Sequence, residues 1–282
     1  MKKILLSLSM VAMCILSACN GAKNESKNDT VDSTAADTVV AESAKIGTES
    51  FTANGVTFEM VKVEGGTFMM GADKGDSLAD PDEFPQHEVS ISTFYMGQCV
   101  VTQKLWKAVM GTAPSKFAGD NKPVERVSWL SANEFIKKLN EMTGKTFRLP
   151  TEAEWEFASR GGVKSKGFIY AGSNNSDEVG WCENNLDEET KDVAMKAPNE
   201  LGLYDMSGNI GEWCSDIYDA KYYANSPKED PQGPAEGPYR CLRGNGWCSN
   251  ECRYIRSANR SGNIPEYEYP FVGFRLAMSE AK

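Results

Sequence analysis

The chain has 282 residues, a formal net charge of −10 and one histidine, His87. Its acidic balance and the lack of a basic run argue against nucleic acid and anionic lipid head groups as partners. Histidine-rich zinc or iron sites and a Ser-His-Asp triad each need at least one well-placed imidazole, and most iron sites need two or three. His87 lies in an alternating stretch typical of a strand, which favours a structural role. The groups left for chemistry are therefore thiols, carboxylates, hydroxyls and the backbone.

The chain begins with the features of a bacterial lipoprotein leader. Two lysines precede an apolar run that is too short to span a membrane comfortably. The sequence LSAC, which ends at Cys19, resembles a lipobox, where signal peptidase cuts before a cysteine that is then acylated. We predict a signal peptide over residues 1–18 and lipidation of Cys19. The alternative is an ordinary secretory signal with a chance cysteine.

The stretch after the leader predicts a disordered tether over residues 19–53. It is rich in Asn, Ser, Thr and Asp and has few side chains to bury, so it cannot offset its ordering entropy. Residues 54–279 are long enough to form one domain with a sizeable core.

Short elements are predicted at the start of this domain. Residues 55–71 alternate apolar side chains around a Gly-Gly pair, which predicts a β-hairpin. A helix is then expected to begin after a Thr102 cap and to end at Gly111.

Two capping boxes predict two further helices. Ser131 with Glu134 marks the start of the first, and Thr151 with Glu154 marks the start of the second, which Gly161 ends. The apolar face expected for the first of these helices consists of Phe135, Ile136, Leu139 and Met142.

Two arginines flank the second of these helices. Arg148 precedes it and Arg160 closes it, so both are expected to form ion pairs with its glutamates rather than to clamp a substrate. Those glutamates are Glu152, Glu154 and Glu156.

Four long motifs carry a family resemblance. In chain order they are KPVERVSW (122–129), FRLPTEAEWEFASRGG (147–162), PNELGLYDMSGNIGEW (198–213) and VGFRLA (272–277). Together they strongly resemble the formylglycine-generating enzyme family, also called the sulfatase-modifying factor domain, over residues 56–279. The resemblance implies an α+β fold, related to C-type lectins, with little regular secondary structure. In the authentic enzyme a copper(I) ion held by two cysteines activates O2, and a sulfatase cysteine is oxidised to formylglycine.

The stretch RGNGWCSNECRYIR contains the candidate catalytic cysteines, Cys248 and Cys252. Cys252 falls on the second cysteine of the family, and Cys248 falls one residue away from the first. Two thiolates are soft ligands suited to copper(I), but a structural disulfide of one or both cysteines and unpaired thiols are open alternatives. Gly246 replaces the family's active-site serine and Gly211 its usual tryptophan, and both departures count against catalysis.

The motif DMSGNIGE contains a candidate calcium site. Asp205, Asn209 and Glu212 supply side-chain oxygens, and Gly208 supplies a carbonyl. Calcium takes about six to eight such oxygens, and the resemblance implies a structural calcium on these four positions. The alternative is that Asn209 caps a short helix with Glu212 at its third position.

Three functional interpretations follow. The first is a lipid-anchored envelope protein whose domain is a diverged or non-catalytic module that binds or assembles other envelope proteins. It would sit on a bacterial membrane, for which we expect the outer membrane. The second is a copper-dependent oxidase that converts a cysteine of a sulfatase-like protein to formylglycine, and the third is a lectin-type ligand-binding module. The glycines in the place of the serine and the tryptophan favour the first.

Replacing Cys19 by alanine tests the anchor. Each buried methylene of an acyl chain contributes about 0.8 kcal/mol to membrane binding, so the variant should leave the membrane fraction or fail to be processed. Fractionation and gel migration measure both effects. A variant that fractionates and migrates like the parent would show that Cys19 is not lipidated.

Overall fold

The computed structural model describes residues 47–182, 188–246 and 251–280. Cys19 and Cys248 lie outside these ranges. Within them, no helix has the length and the apolar character that a membrane crossing requires.

The described strands form two main sheets and two small ones. In the five-stranded sheet, ordered β1-β2-β5-β13-β6, all neighbours are antiparallel. In the four-stranded sheet, ordered β11-β10-β9-β12, the last pair is parallel. The small sheets are β3-β4 and β7-β8. The strands are β1 Thr48–Ala53, β2 Val56–Val63, β3 Gly66–Met70, β4 His87–Ile91, β5 Phe94–Gly97, β6 Phe147–Arg148, β7 Gly180–Trp181, β8 Ser207–Gly208, β9 Gly211–Ile217, β10 Arg240–Arg243, β11 Arg260–Asn263, β12 Val272–Phe274 and β13 Ala277–Ser279.

The helices are short. The α-helices are α1 Gln103–Met110, α2 Trp129–Thr143, α3 Glu152–Ser159 and α4 Ser176–Val179. Single 3-10 turns occupy Pro81–Glu83, Gly162–Lys164, Tyr222–Asn225 and Cys252–Ile255. This mixture of short helices and strands confirms the predicted α+β class.

The predicted hairpin over residues 55–71 is wrong. Strand β2 pairs with β1 and β5, whereas β3 pairs with β4 in another sheet. At the Gly65-Gly66 pair the chain passes from the five-stranded sheet to the small β3-β4 sheet. A side chain on Gly65 would lie 2.6 Å from the Ile91 carbonyl oxygen, so glycine is needed for this close approach. That contact is remote in sequence, and local alternation cannot reveal it.

The predicted start of the domain is several residues too late. Strand β1 begins at Thr48 within the predicted tether, and its Phe51 and Ala53 are buried. Pairing with β2 supplies the hydrogen bonds and the apolar contacts that composition alone did not indicate.

Helix α1 matches its prediction. The Thr102 hydroxyl accepts a hydrogen bond from the Leu105 amide at 3.3 Å, and Gly111 ends the helix at a φ of 72°. Trp106 of this helix stacks on Phe135 with 5.3 Å between ring centroids, which joins α1 to α2 in the core.

Helix α2 begins earlier than predicted. Its cap is Ser128, whose hydroxyl accepts from the Ser131 amide at 3.1 Å, so Ser131 lies in the first turn. Glu134 is exposed and pairs with Lys138 instead of closing a capping box. Met142, expected on the apolar face, is 46% exposed because it lies at the end of the helix, beyond the core.

Helix α3 has the predicted capping box, and all eight of its residues are buried. Both predicted ion pairs form: Arg148 donates to Glu154 at 2.6 and 2.7 Å, and Arg160 donates to Glu156 at 2.8 Å.

Two further arginines reach α3 from remote strands. Arg260 of β11 donates to both carboxylate oxygens of Glu152 at 2.7 Å, and Arg243 of β10 pairs with Glu156. Burial alone would raise the pKa of Glu152, but the guanidinium groups of Arg260 and Arg243 outweigh it and hold that pKa below its usual value. Helix α3 therefore keeps ionised glutamates in the interior of the protein.

Replacing Glu152 by alanine tests this network. The change leaves Arg260 buried without its carboxylate, which costs about 3–5 kcal/mol and should lower the melting temperature by about 10 °C. The matched control is Glu134→Ala, which breaks an exposed pair and should cost about 0.5 kcal/mol or less. Equal melting temperatures for the two variants would contradict this account of α3.

Candidate functional site

The backbone carbonyl of Phe271 lies next to both Gly211 and Gly246. Strand β12 runs parallel to β9, and the Gly211 amide donates to the Phe271 carbonyl oxygen at 2.8 Å. A side chain on Gly211 would begin 3.3 Å from that same oxygen. A side chain on Gly246 would begin 2.8 Å from the oxygen and 2.8 Å from Phe271 Cβ.

The same carbonyl group limits the side chains that fit at both glycines. A Cβ atom at 2.8 Å from a carbonyl oxygen is closer than non-bonded atoms approach, so a serine at Gly246 would push the Phe271 backbone away. At Gly211 the Cβ of a larger residue would meet the same oxygen at 3.3 Å, a tight contact that a small shift would relieve. Main chain therefore blocks a side chain at Gly246 and crowds one at Gly211.

Of the predicted cysteine pair, the structure describes Cys252 alone. Cys252 forms a disulfide with Cys182, and their Cα atoms are 5.3 Å apart. Cys248 lies outside the described residues. The disulfide alternative therefore holds for Cys252, with a partner that the sequence did not identify. A cysteine in a disulfide has no thiolate that could bind copper(I). Cys252 therefore cannot be a copper ligand while it is bonded to Cys182.

The four predicted calcium ligands have different surroundings. Glu212 is fully buried, and both of its oxygens are occupied: Arg275 donates to them at 2.8 and 2.9 Å, and the Trp155 indole donates at 2.8 Å. This carboxylate is already neutralised by a guanidinium, so Glu212 does not fit a calcium ligand.

Asp205 does fit a cation. Its Oδ2 accepts from the Ala194 amide at 2.8 Å, whereas its Oδ1 is buried and has no hydrogen-bond partner among the described residues. Burial raises the pKa of Asp205 to about 6. A buried carboxylate oxygen without a hydrogen-bond donor is a candidate ligand for a cation.

Asn209 and Gly208 lie in the turn after Asp205. Asn209 exchanges hydrogen bonds with the Lys191 backbone at 3.0 and 3.2 Å, and the Gly208 carbonyl accepts from the Ile210 amide at 2.8 Å. The turn leads into β9 and no helix follows, so the alternative role of Asn209 as a helix cap is wrong. In the described ranges, no group of three or more His, Cys, Asp or Glu side chains is placed to hold a metal ion.

Sequence reasoning missed three contributors to this region: Phe271, Arg275 and Cys182. Phe271 acts through its carbonyl, for which a sequence gives no signal. The partners of Arg275 and Cys182 lie 63 and 70 residues away along the chain. Of the three residues, only Arg275 lies in one of the four motifs, VGFRLA.

Comparisons with known proteins identify the relatives of this chain. The sequence model of the sulfatase-modifying factor enzyme 1-like domain matches residues 48–280. The chain is 32% identical to Chaperone protein LppX of Paenibacillus barcinonensis, over 96% of this chain and 93% of that protein. It is 30% identical to the Formylglycine-generating enzyme of Streptomyces coelicolor, over 77% of this chain and 88% of that protein. These matches confirm the resemblance seen in the four motifs.

A solved structure confirms the fold. The chain superposes on Treponema denticola variable protein 1 with a TM-score of 0.74 and 30% identity, over 83% of this chain and 99% of that one.

Restoring the family's serine tests the packing at Gly246. Gly246→Ser should destabilise the protein by about 1–3 kcal/mol because its Cβ meets the Phe271 carbonyl. Gly211→Ala is the control, since its Cβ would be half an ångström farther from the same oxygen and should cost less. Urea unfolding measures both. A serine variant as stable as the parent would show that the site still accepts the hydroxyl.

Proposed function

We propose that this chain, which belongs to the sulfatase-modifying factor enzyme 1-like domain family, is a lipid-anchored envelope protein whose domain binds other proteins and does not oxidise cysteine. One observation carries the proposal: the Phe271 carbonyl oxygen lies 2.8 Å from the Cβ that a serine at Gly246 would have and 3.3 Å from the Cβ of a larger residue at Gly211. A site that must position O2 and a thiol peptide would lack the serine hydroxyl and the tryptophan ring that the resemblance implies for it.

The state of Cys252 supports the same proposal. Oxidation by the route that the resemblance implies needs two thiolates on one copper ion. The sulfur of Cys252 is bonded to Cys182, and that bond ties the turn at Cys252 to the end of β7. The residue at the second cysteine position of the family thus holds two segments of the fold together.

The binding role is supported by a relative. Chaperone protein LppX covers 96% of this chain, so the similarity extends beyond the matched domain into the N-terminal residues. A chaperone binds other polypeptides without changing them covalently. We extend that class of activity to this chain, with exported envelope proteins as its clients.

The alternative is the copper-dependent oxidase, and the similarity to the Streptomyces enzyme favours it. Its substrate would be a sulfatase-like protein. Reduction of the Cys182–Cys252 bond would have to come first, because only then would Cys252 have a thiolate.

An oxidation assay separates the two functions. The full chain, loaded with copper(I), is incubated in air with a Cys-x-Pro-x-Arg peptide, the recognition sequence that the resemblance implies, and the product is read by mass. We expect no aldehyde. An aldehyde that disappears in both Cys248→Ser and Cys252→Ser would establish the oxidase.

We also propose that a structural calcium ion binds beside Asp205. The buried Oδ1 of Asp205, which has no hydrogen-bond donor among the described residues, supports it. Gly208 and Asn209, the other two predicted ligands that remain, follow three and four residues later in the same turn. Glu212 takes no part, because Arg275 already neutralises it.

Chelation tests the calcium proposal. A ligand present at 100 times its dissociation constant stabilises the folded state by about 2.7 kcal/mol, so adding chelator should lower the melting temperature by about 5–10 °C. Asp205→Ala should abolish the response, and Asp192→Ala, an exposed neighbour, should retain it. An unchanged melting curve in the parent would exclude a stabilising calcium.

A further inference from the structure

A polar cavity is lined by strands of both main sheets. It has a volume of about 660 Å³, and its lining includes the beginning of β5, the end of β13, Ser215 of β9 and the first turn of α3. Small-molecule sites usually enclose about 300–1,000 Å³. Gly211, Gly246 and Phe271 are not among its lining residues, so this cavity is separate from the site at the two glycines.

Two pairs of opposite charges lie at this cavity. Arg148 donates to both carboxylate oxygens of Glu154 at 2.6 and 2.7 Å, so these two lining residues neutralise each other. Glu280 also lines the cavity, and Lys62 pairs with it at 2.9 Å. These pairs leave no excess charge that a ligand would have to balance.

One more carboxylate and one more cation lie at the cavity. The Asp230 carboxylate lines it and accepts from the Ser92 amide at 2.8 Å and from the Ser92 hydroxyl at 2.6 Å. Arg240 lies beside it, because its guanidinium donates to the Ser215 carbonyl oxygen at 2.8 Å and stacks 4.0 Å from the Trp129 ring centroid. The two charges offset each other, so these surroundings favour neither a strongly acidic nor a strongly basic ligand.

Two hydroxyl groups of the lining have hydrogens to donate. The Thr93 hydroxyl accepts from the Gly65 amide at 3.0 Å, and the Ser279 hydroxyl accepts from Arg148 Nε at 3.1 Å. Each hydroxyl also has one hydrogen to give, and no acceptor takes it among the residues that the structure describes. The cavity therefore offers both hydrogens to a ligand.

Three oxygens of the lining are available as acceptors. The side-chain amide nitrogens of Asn133 and Gln232 donate to backbone carbonyl groups at 2.8 and 3.0 Å, which leaves both amide oxygens to accept. The Ser215 hydroxyl donates to Asp216 at 2.9 Å, so its oxygen can accept from a ligand. Asp216 itself is 3% exposed and lies behind Ser215. Donors and acceptors are thus mixed along the same wall.

The apolar part of the lining is small. Phe94 and Leu149 supply it, and both side chains are buried, at 1% and 2% exposure. An acyl chain or an apolar peptide segment gains its affinity by removing apolar surface from water, and this wall has little such surface to cover. The lining therefore selects a ligand that binds through hydrogen bonds.

We propose that this cavity binds a neutral saccharide. A sugar hydroxyl both donates and accepts a hydrogen bond, which matches a wall that places hydroxyl hydrogens beside amide oxygens. A strongly charged ligand, such as a phosphate or a polyamine, would lack a counter-charge there. The proposal goes beyond the protein-binding function and does not depend on it.

Saccharide binding tests the proposal. The labelled full chain is applied to an array of immobilised neutral oligosaccharides of glucose, galactose, mannose and N-acetylglucosamine, with acidic oligogalacturonates and basic chitosan oligosaccharides on the same array. The free sugars are then titrated by calorimetry. Binding of a free neutral sugar supports the proposal with a soluble ligand, and binding on the array alone supports it with a surface glycan.

The variants place the binding in the cavity. The double change Asn133→Ala/Gln232→Ala removes two acceptors, and Ser279→Trp puts an indole into the cavity. The matched control is Asn121→Ala, which removes an exposed amide outside the lining. We expect the parent and the control to bind a neutral sugar equally. The double variant should bind it about tenfold more weakly because two hydrogen bonds are lost, and Ser279→Trp should not bind it. Circular dichroism confirms that each variant is folded.

Three results would overturn the proposal. The first is a parent chain that binds no neutral saccharide, and the second is a parent chain that binds the acidic or basic oligosaccharides as tightly as the neutral ones. The third is undiminished binding by the double variant or by Ser279→Trp, because the sugar would then occupy another surface. The proposed protein-binding function would stand in each case.

Discussion

The buried pairing of glutamates with arginines is the interaction on which the rest of this structure depends. Helix α3 places Glu152 and Glu156 in the interior, and the arginines that neutralise them come from β10 and β11, about 90 to 110 residues later. Glu212 and Arg275 repeat the arrangement between β9 and the end of β12. A buried carboxylate without its partner is costly, so the helix and the four-stranded sheet must assemble together. That assembly sets β9 beside β12 and thereby positions the Phe271 carbonyl.

The same strand pairing shapes the candidate site. Gly211 and Gly246, which stand where the resemblance implies a tryptophan and a serine, both lie against that carbonyl at the edge of the four-stranded sheet. Catalysis needs a pocket whose donors surround the reacting atom. The Phe271 main chain leaves no room for a serine hydroxyl at Gly246 without a shift of the backbone.

Sequence reasoning succeeded where the determining contacts are local and failed where they are remote. The caps at Thr102 and Thr151 are fixed by residues three positions away, and both were predicted correctly. The family, and with it the fold class, followed from motifs that span most of the domain. Gly65 misled the prediction because it accommodates the backbone of a strand in another sheet. The partners of Glu212 and Cys252 lie 63 and 70 residues away, beyond the reach of any spacing rule.

The Cys182–Cys252 disulfide decides between the two proposed functions, because the copper-dependent oxidase that the resemblance implies would need a Cys252 thiolate. Disulfide mapping tests it most directly. The full chain, isolated without reductant, is alkylated while folded, digested without reduction and analysed by mass spectrometry. The account predicts a linked peptide pair that joins Cys182 to Cys252. Recovery of Cys252 in alkylated form, or joined to Cys248, would contradict it and restore the copper pair as the better explanation of these cysteines.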